Sequence, residues 1–104
     1  MKTIKTILEV CAADIDSVYA AAEAGADRVE LCCALGEGGL TPSAGMIEEA
    51  MTVPGIKVNV LIRPRSGDFL YSESEVRTML RDIGLCRELG VNGVVFGALT
   101  TEGD

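Results

Sequence analysis

The feature that most restricts the fold of this chain is a pattern that occurs twice. Glu23-Ala-Gly-Ala-Asp-Arg-Val-Glu-Leu31 and Glu88-Leu-Gly-Val-Asn-Gly-Val-Val-Phe96 both read as a helix end, a glycine stop, a short polar turn and an apolar strand. A chain that returns from helix to strand in this way is made of βα units. Buried strands joined through helices imply a parallel sheet with right-handed crossovers.

The remaining segments fit that reading. Thr6 to Cys11 predicts a first strand, with Glu9 and Cys11 on one face by period two. Asp14 can cap a helix that runs through Ala24, with Gly25 as its stop. Arg28 to Cys33 predicts the second strand, placing Glu30 and Cys32 on a common face. Thr41-Pro42 is expected to open a second helix reaching about Thr52, with proline in the first turn, where a missing N–H costs nothing. Pro54-Gly55 separates it from a third strand, Ile56 to Arg63. Ser72 and Glu75 form a capping-box pattern ahead of a third helix, Glu73 to Leu89, ended by Gly90. Val76, Met79, Leu80, Ile83 and Cys86 make its apolar stripe. Gly93 to Leu99 is the expected fourth strand, followed by a polar tail.

Composition narrows the function classes. The 104 residues are 48% hydrophobic, enough for one small core, and carry a formal charge of -7 with no basic run. That balance argues against nucleic acid or an anionic membrane as partner. No apolar stretch approaches the roughly 18 residues of a spanning helix, and no signal-peptide pattern follows Met1, so a cytoplasmic location is expected. The four cysteines include the adjacent pair Cys32-Cys33, awkward for a disulfide, and read best as reduced thiols. The chain contains no histidine. Chemistry must therefore run on carboxylates, thiols, Lys, Tyr or Ser.

The richest loop is Leu61-Ile-Arg-Pro-Arg-Ser-Gly-Asp-Phe-Leu-Tyr-Ser72, at the carboxyl end of the third strand. That end is where α/β folds place their sites. Arg63 and Arg65 flank Pro64, and Asp68 adds a carboxylate; the plain alternative is a salt-bridged surface turn. Gly38-Gly39, between the second strand and a helix, can turn backbone N–H groups toward an anion. With Arg63 and Arg65 it suggests a phosphate or carboxylate subsite; a simple strand-to-helix turn is the alternative. Both an open doubly wound sheet and part of a (βα)8 barrel satisfy the pattern. Acidic and thiol residues inside apolar strands favour the barrel.

Five stretches together resemble the CutC family, named for copper homeostasis: Leu8-Glu-Val-Cys11, Gly25 to Cys32, Glu37-Gly-Gly-Leu-Thr-Pro-Ser43, Ile62 to Ser72 and Gly93 to Leu99. The resemblance implies a TIM-type barrel. Since such a barrel needs about 250 residues, residues 1–104 are expected to supply its N-terminal half, four strands and three helices. It also implies a cytoplasmic protein that binds or traffics monovalent copper, with Cys11 and Cys32 as the metal ligands. Thiolates suit that ion, and the two cysteines are expected at equivalent places on adjacent strands; buried hydrophobic cysteines are the alternative.

Glu9 and Glu30 are expected to approach each other inside the barrel with Arg63 as the cation between them, or to form a network that only fixes geometry. A rival reading follows: an enzyme for a small anionic metabolite, with Glu9, Glu30, Arg63 and Asp68 as the catalytic set and Gly38, Gly39, Arg63 and Arg65 as the anion clamp. Four strands cannot close a barrel, so the chain is also expected to form a homo-oligomer.

Overall fold

The computed structural model describes residues 6–100. Strand β1 (Glu9–Ala12) leads to helix α1 (Ile15–Glu23) and strand β2 (Arg28–Leu31). A single tight turn at Leu35–Glu37 precedes α2 (Ala44–Met51) and β3 (Lys57–Leu61). Helix α3 (Glu73–Leu89) and β4 (Gly93–Val95) complete the order. The four strands are all parallel and lie in sequence order, β1-β2-β3-β4.

Local chemistry explains the boundaries. Asp14 accepts a hydrogen bond from the Ser17 amide at 2.7 Å and starts α1. Ser72 and Glu75 form both halves of the capping box at α3, and Gly90 ends that helix at φ 79°. The expected start of α2 at Thr41-Pro42 is corrected: Ser43 is the N-cap, accepting from the Met46 amide at 3.1 Å. Thr41 is held elsewhere. Its amide donates to the Arg63 carbonyl at 3.0 Å, and its hydroxyl accepts from the Arg63 amide at 2.8 Å. Its position before a proline also disfavours helical backbone.

The strands are shorter than their apolar runs suggest. β4 stops at Val95 because the chain then turns over the β3–α3 loop, where the Leu99 amide donates to the Phe69 carbonyl at 2.9 Å. The polar tail beyond residue 100 lies outside the described residues.

Period two divides the sheet into two unlike faces. Val29, Leu31, Val58 and Val60 are buried with Val18 and Ala21 of α1, Ile47 and Ala50 of α2, and Met79 and Cys86 of α3. This is the core, and cutting Ile47 or Leu31 to alanine there costs about 2–5 kcal/mol. The stripe expected on α3 is only partly used. Met79 and Cys86 are buried and Ile83 packs at the edge of the core, whereas Val76 and Leu80 remain exposed. The opposite face of the sheet carries Glu9, Cys11, Arg28, Glu30, Lys57 and Asn59, each half-buried or exposed. In a closed barrel this face would line the lumen.

Candidate functional site

Strand register sets the layout of that open face. Glu9, Arg28 and Lys57 share one row across the sheet. Cys11, Glu30, Asn59 and Gly93 share the next inward-facing row. Glu9 is held by two neighbours: its Oε1 lies 3.3 Å from Arg28 Nε and accepts from Asn59 Nδ2 at 3.4 Å. The cation beside Glu9 is thus Arg28, and the expected arrangement with Arg63 between Glu9 and Glu30 is corrected. The reason is register: two residues of offset put an arginine, not Glu30, opposite Glu9.

Register also moves the thiols. Cys11 stands opposite Glu30, so Cys32 is its diagonal neighbour, one row nearer the carboxyl ends, and not its equivalent. Diagonal neighbours across two strands have Cα atoms about 7–8 Å apart. Cys11 is exposed, while Cys32 is 3% exposed. Burial pushes the Cys32 thiol above its ordinary pKa, and negative charge at Cys11, Glu30 and Cys33 pushes the same way. Cys33 faces away and donates its thiol to the Thr41 carbonyl at 3.3 Å, while Cys86 is in the core.

The two loop arginines serve as connectors. Arg63 Nη1 donates to the carbonyls of Glu37 (2.8 Å) and Gly39 (3.0 Å), and Nη2 donates to that of Gly67 (3.0 Å). Its guanidinium also stacks 5.3 Å from the Phe69 ring centre. One side chain therefore ties the β2–α2 loop to the β3–α3 loop.

Arg65 is engaged as fully. Its Nε lies 2.6 Å from Glu75 and its Nη2 lies 3.2 Å from Asp68, and it packs over Tyr71. Hydrogen bonding from Arg65 and from the Ser72 amide holds the Glu75 carboxyl below the usual carboxylate range, and Glu75 in turn raises Arg65.

Gly38 and Gly39 do lie against Arg63, as expected, but their polarity is reversed. Their amides donate back into the turn, to the Leu35 carbonyl at 2.9 Å and the Ala34 carbonyl at 3.1 Å, while the carbonyls of Glu37 and Gly39 accept from the guanidinium. Glycine is required at both positions. Gly38 has φ 87° and Gly39 has φ 95°, and a Cβ on Gly38 would meet Arg63 Nη1 at 2.9 Å.

The structure therefore gathers the predicted residues into two groups. Glu9, Cys11, Glu30 and Cys32 share the open face, whereas Gly38, Gly39, Arg63, Arg65 and Asp68 share the loops at the carboxyl ends of the strands. Sequence reasoning missed Arg28, Lys57 and Asn59. The signal was present in Lys57-Val-Asn-Val-Leu61, where alternation sets 57, 59 and 61 on one face opposite the buried valines. A separate open cleft, bounded by Ile7, Asp27, Arg28, Gly55, Ile56 and Lys57, lies at the amino ends of the strands, away from the arginine loops.

Parallel strands in sequence order, helices on one face and loop residues at the carboxyl ends define part of a TIM-type barrel. The crystal structure of CutC from Streptococcus agalactiae, a barrel of this type, matches 93% of this chain and 48% of that one. The TM-score is 0.87 at 41% sequence identity. The CutC family model matches residues 6–104, and the chain belongs to the CutC family. CutC family proteins of Parabacteroides distasonis and Mesorhizobium japonicum are 55% and 53% identical to it over 97% and 93% of its length. The chain spans 42% and 38% of those two relatives, in their N-terminal part. Among the described residues no helix is long and apolar enough to cross a membrane.

Proposed function

We propose that the chain acts in copper homeostasis by holding monovalent copper through Cys11 and Cys32 in the cytoplasm. The observation that carries this is the position of the two thiols, one exposed and one buried, in neighbouring rows at the open face. Soft thiolates suit that ion, which tolerates few ligands. Cys11 gives the entering ion a first ligand from solvent. Cys32 must then lose its proton, which burial and nearby negative charge hold in place. Copper loading is therefore expected to release protons and to strengthen as pH rises. Free cysteines throughout the described residues suit a reducing compartment.

The test is competition with a chelator for monovalent copper under reducing conditions. About one equivalent should bind, and Cys11→Ser and Cys32→Ser should each abolish it, while Cys86→Ser binds normally. Undiminished affinity in the double Cys11→Ser, Cys32→Ser variant refutes the proposal.

A second reading, an enzyme for a small anionic metabolite, is favoured by the polarity of the open face. TIM-barrel interiors are dominated by bulky branched residues, yet this face presents Glu9, Arg28, Glu30 and Asn59. Glu30 would serve as acid or base. Arg63 and Arg65 would have to exchange loop partners for the anion. Under this reading, phosphate titration followed by NMR should shift amides at residues 37–43 and 63–68. Shifts scattered over the surface would remove it.

A further inference from the structure

We infer that the turn at residues 34–39 is a cap over the Cys32 sulfur and that Arg63 is its latch, so that an ion reaches Cys32 only when the cap swings away. Cys32 stands on the polar face of the sheet by period two, yet it is 3% exposed. Its cover comes from β3 and the turn, both inside the described residues. A Cβ placed on Gly39 would meet the Cys32 sulfur at 3.7 Å and Leu61 Cδ2 at 3.0 Å, so the Gly39 backbone and Leu61 lie against the thiol.

The turn is built to move as one piece. Its amides bond inward: Glu37 and Gly39 donate to the Ala34 carbonyl at 2.9 and 3.1 Å, and Gly38 donates to that of Leu35 at 2.9 Å. Its neck is closed by Cys33 and Leu40, whose amides donate to each other's carbonyls at 2.9 and 2.8 Å. Ala34 (φ 52°), Gly38 (φ 87°) and Gly39 (φ 95°) set left-handed backbone at both ends, where a few residues can absorb a hinge rotation. Positions 34–38 are exposed.

Among the described residues, positions 34–39 are tied to the rest of the fold by hydrogen bonds from Arg63 Nη1 alone, to the Glu37 and Gly39 carbonyls. Arg63 is itself fixed to the other loop, by its bond to the Gly67 carbonyl and its stacking on Phe69. Breaking the two Nη1 bonds therefore frees the cap and leaves the strand pairs and the Ser43 cap of α2 intact. Arg63 is in this sense a positioning residue for Cys32.

The experiment is timed labelling with iodoacetamide, read site by site by mass spectrometry. A Cys11→Ser, Cys33→Ser background leaves Cys32 and Cys86 of the four cysteines, and serine keeps a donor for the Thr41 carbonyl. Cys86 is 1% exposed in the core and reports unfolding. Cys32 should be labelled faster than Cys86, at a rate that rises little with urea below the unfolding transition. The Cys86 rate should rise with the full slope of unfolding. Arg63→Lys keeps the charge but gives up the fork, and should speed labelling of Cys32 about fivefold without steepening its urea dependence. Glu37→Gln leaves the latched carbonyl in place and should label at the parent rate.

Equal urea slopes at Cys32 and Cys86 in the parent overturn the inference, because Cys32 would then open only on unfolding; this decides the matter even where Arg63→Lys does not fold. So does a folded Arg63→Lys with Cys32 labelled at the parent rate, or a Glu37→Gln variant as fast as Arg63→Lys. The cap gains its purpose from the reading of Cys32 as a copper ligand, but the labelling needs no metal. A shallow slope at Cys32 with no copper bound would keep the cap and refute the copper reading alone.

Discussion

Replacing Arg63 by alanine tests whether one guanidinium holds the two site loops together. The side chain makes three hydrogen bonds to carbonyls, at Glu37, Gly39 and Gly67, and stacks on Phe69. Bonds to charged groups are worth about 1.5–3 kcal/mol. The Glu37 and Gly67 carbonyls lie near the surface, however, and water can replace the lost donor, so about 1 kcal/mol each is the better figure. The ring contact adds roughly 0.5–1 kcal/mol. The expected loss is about 3.5–4 kcal/mol, or roughly 14–32 °C in Tm for a domain of this size.

Arg63→Lys retains the charge without the planar fork and should lose about half as much. Urea and thermal melts at one fixed protein concentration measure the loss. Amide exchange measures where it falls, and protection should drop first at residues 37–41. A loss below about 1 kcal/mol, an equal loss for both variants, or unchanged exchange in the turn would show that the guanidinium does not hold the loops together.

Two further tests use the same region. Gly39→Ala forces a Cβ into left-handed backbone and to 3.0 Å from Leu61 Cδ2, so it should cost about 1–2 kcal/mol by denaturant titration. Gly36→Ala, with nothing within 4 Å, should be near neutral. The Glu75 carboxyl, held below its ordinary value first by Arg65 and then by the Ser72 amide, stabilises the fold above the unfolded carboxylate value near 4.3. That contribution is lost as pH falls through the lower folded value. Glu75→Gln should therefore be less stable than the parent at pH 7 and converge with it in strong acid; a pH-independent difference would remove Arg65–Glu75 pairing as the cause.

The order of elements was legible because glycine stops and capping residues act locally. Ser72, Glu75 and Gly90 set the limits of α3 through bonds to residues within one turn, and α3 spans the expected residues. The start of α2 was not legible, because Thr41 is bound to Arg63, twenty-two residues away. The same division runs through the site. Which residues face the open side follows from period two, so Glu9 and Cys11 were found together. Which residue stands opposite which depends on register, a relation between strands that neither strand contains. Arg28 therefore took the place expected for Arg63 beside Glu9. The loop arginines were visible as charges, but their use of carbonyl partners depends on Gly38 and Gly39 turning their amides inward.

Sequence order in the sheet also bears on how the chain acquires its shape. Among the described residues every strand pairs only with the strand before or after it, so none of these three pairings waits for a distant part of the polypeptide. Each βα unit can dock as soon as the next strand is synthesised, with a short loop-closure penalty at each step. A chain emerging from the ribosome at about 5–20 residues per second can then assemble from its amino terminus in steps. The growing edge is the last strand made, so at each stage it is the newest part of the chain that needs protection from wrong partners.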